Sequence, residues 1–197
     1  MELFLVIVFI LYFIYNYGEK SKRKTKRKQY TKKSSYDPLK DKGDKYEKFI
    51  GSKFEDKGNL VIYNGFIKGY EDKGVDVISI SQEDKIIHLI QCKNWTRKPL
   101  LLDDVKNIYY KLNSYDLDFL YLNSTDINHH LRDKKDNDFI ENLLINIQQN
   151  NDKYTIRKTL YIGSDKVIDL NIGEHLEMLK SNIFRYDDMK IVIKNLE

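Results

Sequence analysis

Apolar positions fall into two regimes along the chain. Over residues 3–15 they run without a break, LFLVIVFILYFIY, whereas from residue 44 onward they recur at spacings of two, three and four. Tyr46, Phe49, Ile50 and Phe54 repeat at helical spacing, which predicts a helix over 44–56, ended by Lys57 and Gly58. Three β-rich stretches follow, at 60–63, 75–81 and 85–92, separated by turn-forming Asn64-Gly65, by 69–74 and by Gln82-Glu83-Asp84. A second helix is predicted over 101–112, a strand over 119–122 and a third helix over 139–147. Strands at 154–162, 167–170 and 189–193, with a helix near 174–180, complete the C-terminal part. The order α-β-β-β-α-β with a C-terminal extension predicts an α/β fold, a mixed sheet flanked by helices.

The unbroken run has the composition of a membrane segment, its reach extended by Met1 and by tyrosines of interfacial character. No basic residue precedes it and no small-x-small cleavage pattern follows, so a cleaved signal peptide fits less well than an anchor. The basic stretch KSKRKTKRK comes directly after. By the positive-inside rule that flank stays in the cytoplasm, which predicts a single-pass protein whose folded part is cytoplasmic. The organisation expected is an anchor at 1–18, a basic linker at 19–43, a folded core at 44–150 and an α/β extension at 151–197.

Charge sharpens this division. The chain of 197 residues carries 34 Lys and Arg against 30 Asp and Glu, but nine of those cations sit between Glu19 and Lys33 with one acid. Residues 34–197 are left slightly acidic, so any nucleic-acid contact in the folded part must rest on a local patch. The linker itself suits topology first, and anionic lipid or non-specific DNA second. One cysteine excludes a disulfide framework and a cysteine-based zinc site, and fits a reducing compartment.

Chemistry concentrates in Gly74-Val75-Asp76-Val77-Ile78 and in His88-Leu89-Ile90-Gln91-Cys92-Lys93-Asn94-Trp95. Alternation along a strand puts Gln91 and Lys93 on one face and Cys92 on the other. If the two stretches pair as a hairpin, Asp76 lies beside Lys93, and a carboxylate, an amide and an ammonium converge. An acid inside a β-branched run breaks strand propensity, and such breaks tend to mark function.

These residues resemble the PD-(D/E)xK nuclease superfamily, and within it the Mrr-like restriction endonucleases, whose lysine motif reads Q-x-K. The resemblance covers about residues 46–122. It rests on Tyr46-Glu47 and Phe54-Glu55, the Asn64-Gly65 turn, Asp72-x-Gly74-Val75-Asp76, Gln91-Cys92-Lys93-Asn94-Trp95 and the order of elements. It implies a restriction-endonuclease-like core and hydrolysis of double-stranded DNA with Mg²⁺ or Mn²⁺. Asp76 and the Cys92 carbonyl would hold the metal, Glu47 would reach it through a water, and Gln91 would offer a neutral oxygen. Lys93 would orient or deprotonate the attacking water and steady charge on the phosphate. Asn94, Trp95, Arg97 and Lys98 would contact DNA, and cutting both strands would suit a homodimer.

Other readings stand beside this one. Glu55, two turns after Glu47, is a rival for the helix carboxylate, and Asp72 reads first as a turn residue. Cys92 reads as a buried core thiol, and Trp95 as packing. His129 and His130 are adjacent and so point apart, unlike a zinc-binding i, i+4 pair. A non-catalytic nucleic-acid-binding module on the same fold, and a repair or junction-resolving nuclease, are the alternative functions.

Overall fold

A computed structural model describes residues 38–94, 99–163, 175–179 and 183–194. The predicted anchor, most of the linker and the stretch predicted as a strand at 167–170 lie outside them. Among the described residues no helix is long and apolar enough to cross a membrane.

The described part is an α/β fold built on one mixed sheet of seven strands, in the order β1-β2-β3-β4-β7-β6-β5. Helix α1 (Pro38–Glu55) leads into β1 (Leu60–Ile62), and a short helix α2 (Asn64–Lys68) with a 3₁₀ turn (Gly69–Glu71) leads to β2 (Val77–Ser81) and β3 (Ile86–Lys93). Helices α3 (Leu102–Asn113), α4 (Ser124–His130) and α5 (Asn137–Gln149) precede β4 (Thr155–Ile162). Strands β5 (Glu177–Met178), β6 (Ile183–Tyr186) and β7 (Met189–Ile193) close the chain. β1, β2 and β3 pair antiparallel, β3 to β4 and β4 to β7 run parallel, and β7, β6 and β5 pair antiparallel.

Each helix buries the stripe its sequence repeats. Tyr46, Ile50 and Phe54 of α1 are buried at a spacing of four, and Val105, Ile108 and Leu112 of α3 at spacings of three and four. The Phe54 ring lies 5.2 Å from the His88 ring, so α1 covers the sheet face on which even-numbered β3 residues stand. On the opposite face Lys158 of β4 holds its ammonium 5.7 Å from the Tyr109 ring of α3. β2 and β3 are almost wholly buried between these layers, as strands covered on both faces must be.

Four sequence expectations change. Helix α1 begins six residues earlier than 44, because Pro38 suits a first helical turn and Asp41 pairs with Lys45 one turn on (2.8 Å). Asn64-Gly65 opens a helix where a turn was expected. The expected strand 119–122 is a 3₁₀ turn (Asp118–Tyr121): Leu117 adopts a left-handed φ of 54°, Phe119 is buried, and Asp118 is tied to Lys68 (2.7 Å). The sheet position beside β3 is taken by β4, two helices later. The helix expected near 174–180 gives way, among its described residues, to strand Glu177–Met178 paired with Arg185 and Phe184 of β6. Edge pairing there outcompetes a short helical pattern.

Candidate active site

β2 and β3 form the expected hairpin, with Val77 opposite Ile90. The ladder extends one step further, where the Asp76 N–H donates to the Ile90 carbonyl (2.9 Å). Asp76 thus stands across from Gln91, and its Oδ2 accepts from the Gln91 amide and from the Cys92 N–H (2.6 Å). A carboxylate at a strand's start is costly unless it finds donors, and here both come from the neighbouring strand. Asp76 is 6% exposed and Gln91 3%.

The loop carrying Asp76 is fixed from behind. Buried Asn64 donates through Nδ2 to the Asp72 carbonyl (3.2 Å) and the Val75 carbonyl (2.7 Å). Asp72 accepts the Gly74 N–H on Oδ1 (2.7 Å), the turn role expected of it. Gly74 has φ +81°, a conformation that disfavours any side chain.

Glu47 reaches the same point from α1. It does so past Gly65, where a Cβ would stand 2.9 Å from Glu47 Oε2 and 3.7 Å from the Asp76 Cα. Glu55 takes another part: it accepts the Tyr63 hydroxyl (3.0 Å) and lies 3.7 Å from Arg132 Nε. The geometry therefore brings Glu47, Asp76 and Gln91 together, places Lys93 two residues beyond Gln91 on the same strand face, and leaves Glu55 outside.

The electrostatics at this point are one-sided. Burial pushes the Glu47 carboxyl up, and Asp76, Asp44 and Asp72 push it further, with Lys93 opposing. Burial likewise raises Asp76, while Lys93, the Cys92 N–H and the Gln91 amide hold it down and Asp72 raises it. A buried carboxyl, Asp76, and a half-buried one, Glu47, that disfavour each other's ionisation beside one ammonium make a place where a divalent cation would relieve the strain. Among the described residues no three His, Cys, Asp or Glu side chains cluster as a metal cage. The oxygen donors present, two carboxyls and the Cys92 carbonyl, fit a hard cation that keeps several waters, while Gln91 turns its amide nitrogen to Asp76 and its oxygen toward Gly74. Burial also pushes the Cys92 thiol up, in keeping with a core thiol.

Of the expected DNA contacts, Trp95, Arg97 and Lys98 lie outside the described residues. Asn94 lies inside them, with its amide oxygen packed tightly on Gly163, whose N–H donates to the Lys93 carbonyl (3.0 Å). His129 and His130 do not point apart: at the last turn of α4 their rings meet edge to face at 5.0 Å, with His130 5.6 Å from Phe66. Sequence reading missed Lys111 of α3, whose Cδ would lie 2.8 Å from a Cβ at Gly74, itself 3.3 Å from Gln91 Oε1. The only signal for it was its place on the polar flank of the α3 stripe. Comparison with protein-family models, with curated proteins and with solved structures finds no match.

Proposed function

We propose that the chain is a metal-dependent DNA endonuclease with a restriction-endonuclease-like core of the Mrr-like kind, tethered to the membrane through residues 1–18 with its folded part cytoplasmic. One observation carries the reading: a buried carboxylate, Asp76, held by Gln91 and the Cys92 N–H, faces a second, Glu47, with Lys93 as the cation both feel. The reading further assigns the enzyme to restriction of foreign or modified double-stranded DNA, acting as a dimer.

Asp76 and the Cys92 carbonyl would hold Mg²⁺ or Mn²⁺, with Glu47 reaching the ion through a water. When bound, that ion supplies Lewis-acid stabilisation of charge on the phosphate. The chain's own part begins with Lys93. As an ammonium it attracts the phosphate into an acidic site; its amine, on losing a proton, can accept one from the attacking water. Glu47, whose carboxyl is pushed up by burial and by Asp76, can hold or release a proton at Oε1 or Oε2 near neutral pH. Gln91 and the Cys92 N–H keep Asp76 in one rotamer, so reaction costs little reorganisation. Lys111, across Gly74, can extend its ammonium to an adjacent phosphate.

The test is cleavage of methylated and unmethylated plasmid by the full chain in detergent, with Mg²⁺ or with EDTA, beside folded Asp76→Asn and Lys93→Ala proteins. Metal-dependent cutting lost by at least about 10³-fold in both variants is expected. DNA binding without cutting by the wild type would favour the binding-module alternative. Equal cutting of both plasmids, with preference for branched DNA, would move the role to repair or junction resolution.

A further inference from the structure

At the far end of β3 from Lys93 the same sheet carries a second concave surface, a groove of about 970 Å³. Its floor follows from strand register. Arg157 pairs with His88, Lys190 with Thr159, and Arg185 with Lys190. Paired residues share a face, so these side chains stand on the α1 side of β3, β4, β7 and β6. Helix α1 packs on β1, β2 and β3 and ends at Glu55, after which Lys57 stands at the groove's edge.

Arg157, Lys190 and Lys57 are exposed, and among the described residues none of them has an ion pair. Three acids stand on the rim: Asp188 pairs with Lys158 (2.6 Å), Asp84 accepts the Ser81 hydroxyl (2.8 Å), and Glu83 is exposed to solvent. At His88 the cations prevail. Burial lowers its basicity first, then Arg157, Lys57 and Lys190, with Asp84 opposing, to about 4. Its ring is therefore neutral at physiological pH, and its Nδ1 is buried without a hydrogen-bond partner. Tyr161 keeps its proton as well, pushed up to about 12 by burial, so the walls offer neutral donors between fixed cations.

We propose that this groove is a second binding site, for a phosphorylated small molecule of nucleotide size. A planar guanidinium beside two ammonium groups and neutral O–H and N–H donors is the donor set a phosphate takes, and 970 Å³ is the volume of a small-ligand site. His88 is five residues from Lys93, about 16 Å along an extended strand, so the ligand would not enter the acidic site. The site does not depend on the nuclease reading.

The experiment titrates the full chain in detergent, with EDTA present, using inorganic pyrophosphate and adenosine 5′-monophosphate while following the His88 ring signals by NMR. Saturable binding that shifts those signals is expected. Affinity should fall at least about tenfold in the Arg157→Gln/Lys190→Gln double variant and stay unchanged in Asp76→Asn. Tighter binding of adenosine 5′-monophosphate than of pyrophosphate would show that the organic part is recognised. The proposal is overturned if neither probe saturates, if the double variant binds as well as wild type, or if a DNA duplex occupies these residues and pyrophosphate cannot displace it.

Discussion

The two ends of β3 carry opposite electrostatic excesses. At the Lys93 end burial and neighbouring acids push the carboxyls of Glu47 and Asp76 up; at the Ile86 end burial and neighbouring cations push the His88 imidazole down. The same strand, with the same alternation and similar burial, holds a surplus of negative charge at one end and of positive charge at the other. Each end disfavours its own ionised state, and each would be relieved by a ligand of opposite sign. Burial alone explains the direction of both shifts. The identity of the neighbours decides which counter-charge each end would welcome.

The largest effect should come from cutting the strand between its ends. Ile90 is fully buried midway along β3, so Ile90→Ala should destabilise by about 2–5 kcal/mol. Urea unfolding followed at both ends should then show one shifted transition; two separate transitions would mean that the ends fold as independent units.

Gly65→Ala should cost less stability but act at one end only. Its Cβ would push Glu47 off Asp76, lowering cleavage by roughly 10-fold or more while leaving the His88 resonances in place. Unchanged cleavage by a folded variant would remove Glu47 from the site.

Glu47→Gln probes the stability side of the acidic end. A carboxyl whose folded pKa is raised contributes stability that is complete below the ordinary carboxylate range and lost as pH rises through the folded value. The variant should therefore gain on the wild type in urea midpoint as pH is taken from 5 to 9, because the wild type must ionise a half-buried acid beside Asp76. A pH-independent difference would contradict that coupling.

At the other end the slope reverses. His88 takes its proton in the unfolded chain near pH 6.5 but in the folded chain only near 4, so stability should fall as pH drops through that window. His88→Gln should flatten this part of the urea profile, and pyrophosphate, if it binds, should restore part of the lost stability. This is the smallest of the effects, because the imidazole is only partly buried.

The acidic site was largely legible in the sequence because it is local. Asp76, Gln91 and Lys93 lie on two strands joined by a short turn, and the two-residue period of a strand orients them without further information. Helices α1, α3 and α5 were legible for the same reason, since each repeats its buried stripe at three and four. Choosing Glu47 over Glu55 was not, because both lie on α1 and the choice depends on Gly65 of α2 and on Tyr63, which caps it after β1. The 3₁₀ turn at Asp118–Tyr121 was misread as a strand because four apolar and aromatic residues fit either state until Lys68 and the left-handed Leu117 are in place. The partner of β3 could not be read at all, since β4 arrives some sixty residues later and parallel pairing leaves no turn signal.

What the sequence determined by itself is what near neighbours decide: period, turn chemistry, the helical stripes and the alternation that sets Gln91 and Lys93 on one face. Tertiary structure decided what converges from a distance. It brought Glu47 from α1 to Asp76, and it gathered His88, Arg157, Lys190 and Arg185 from four strands into one cationic floor. Local propensity acts over a few residues, whereas charge and burial act through space, and only the folded chain fixes those distances.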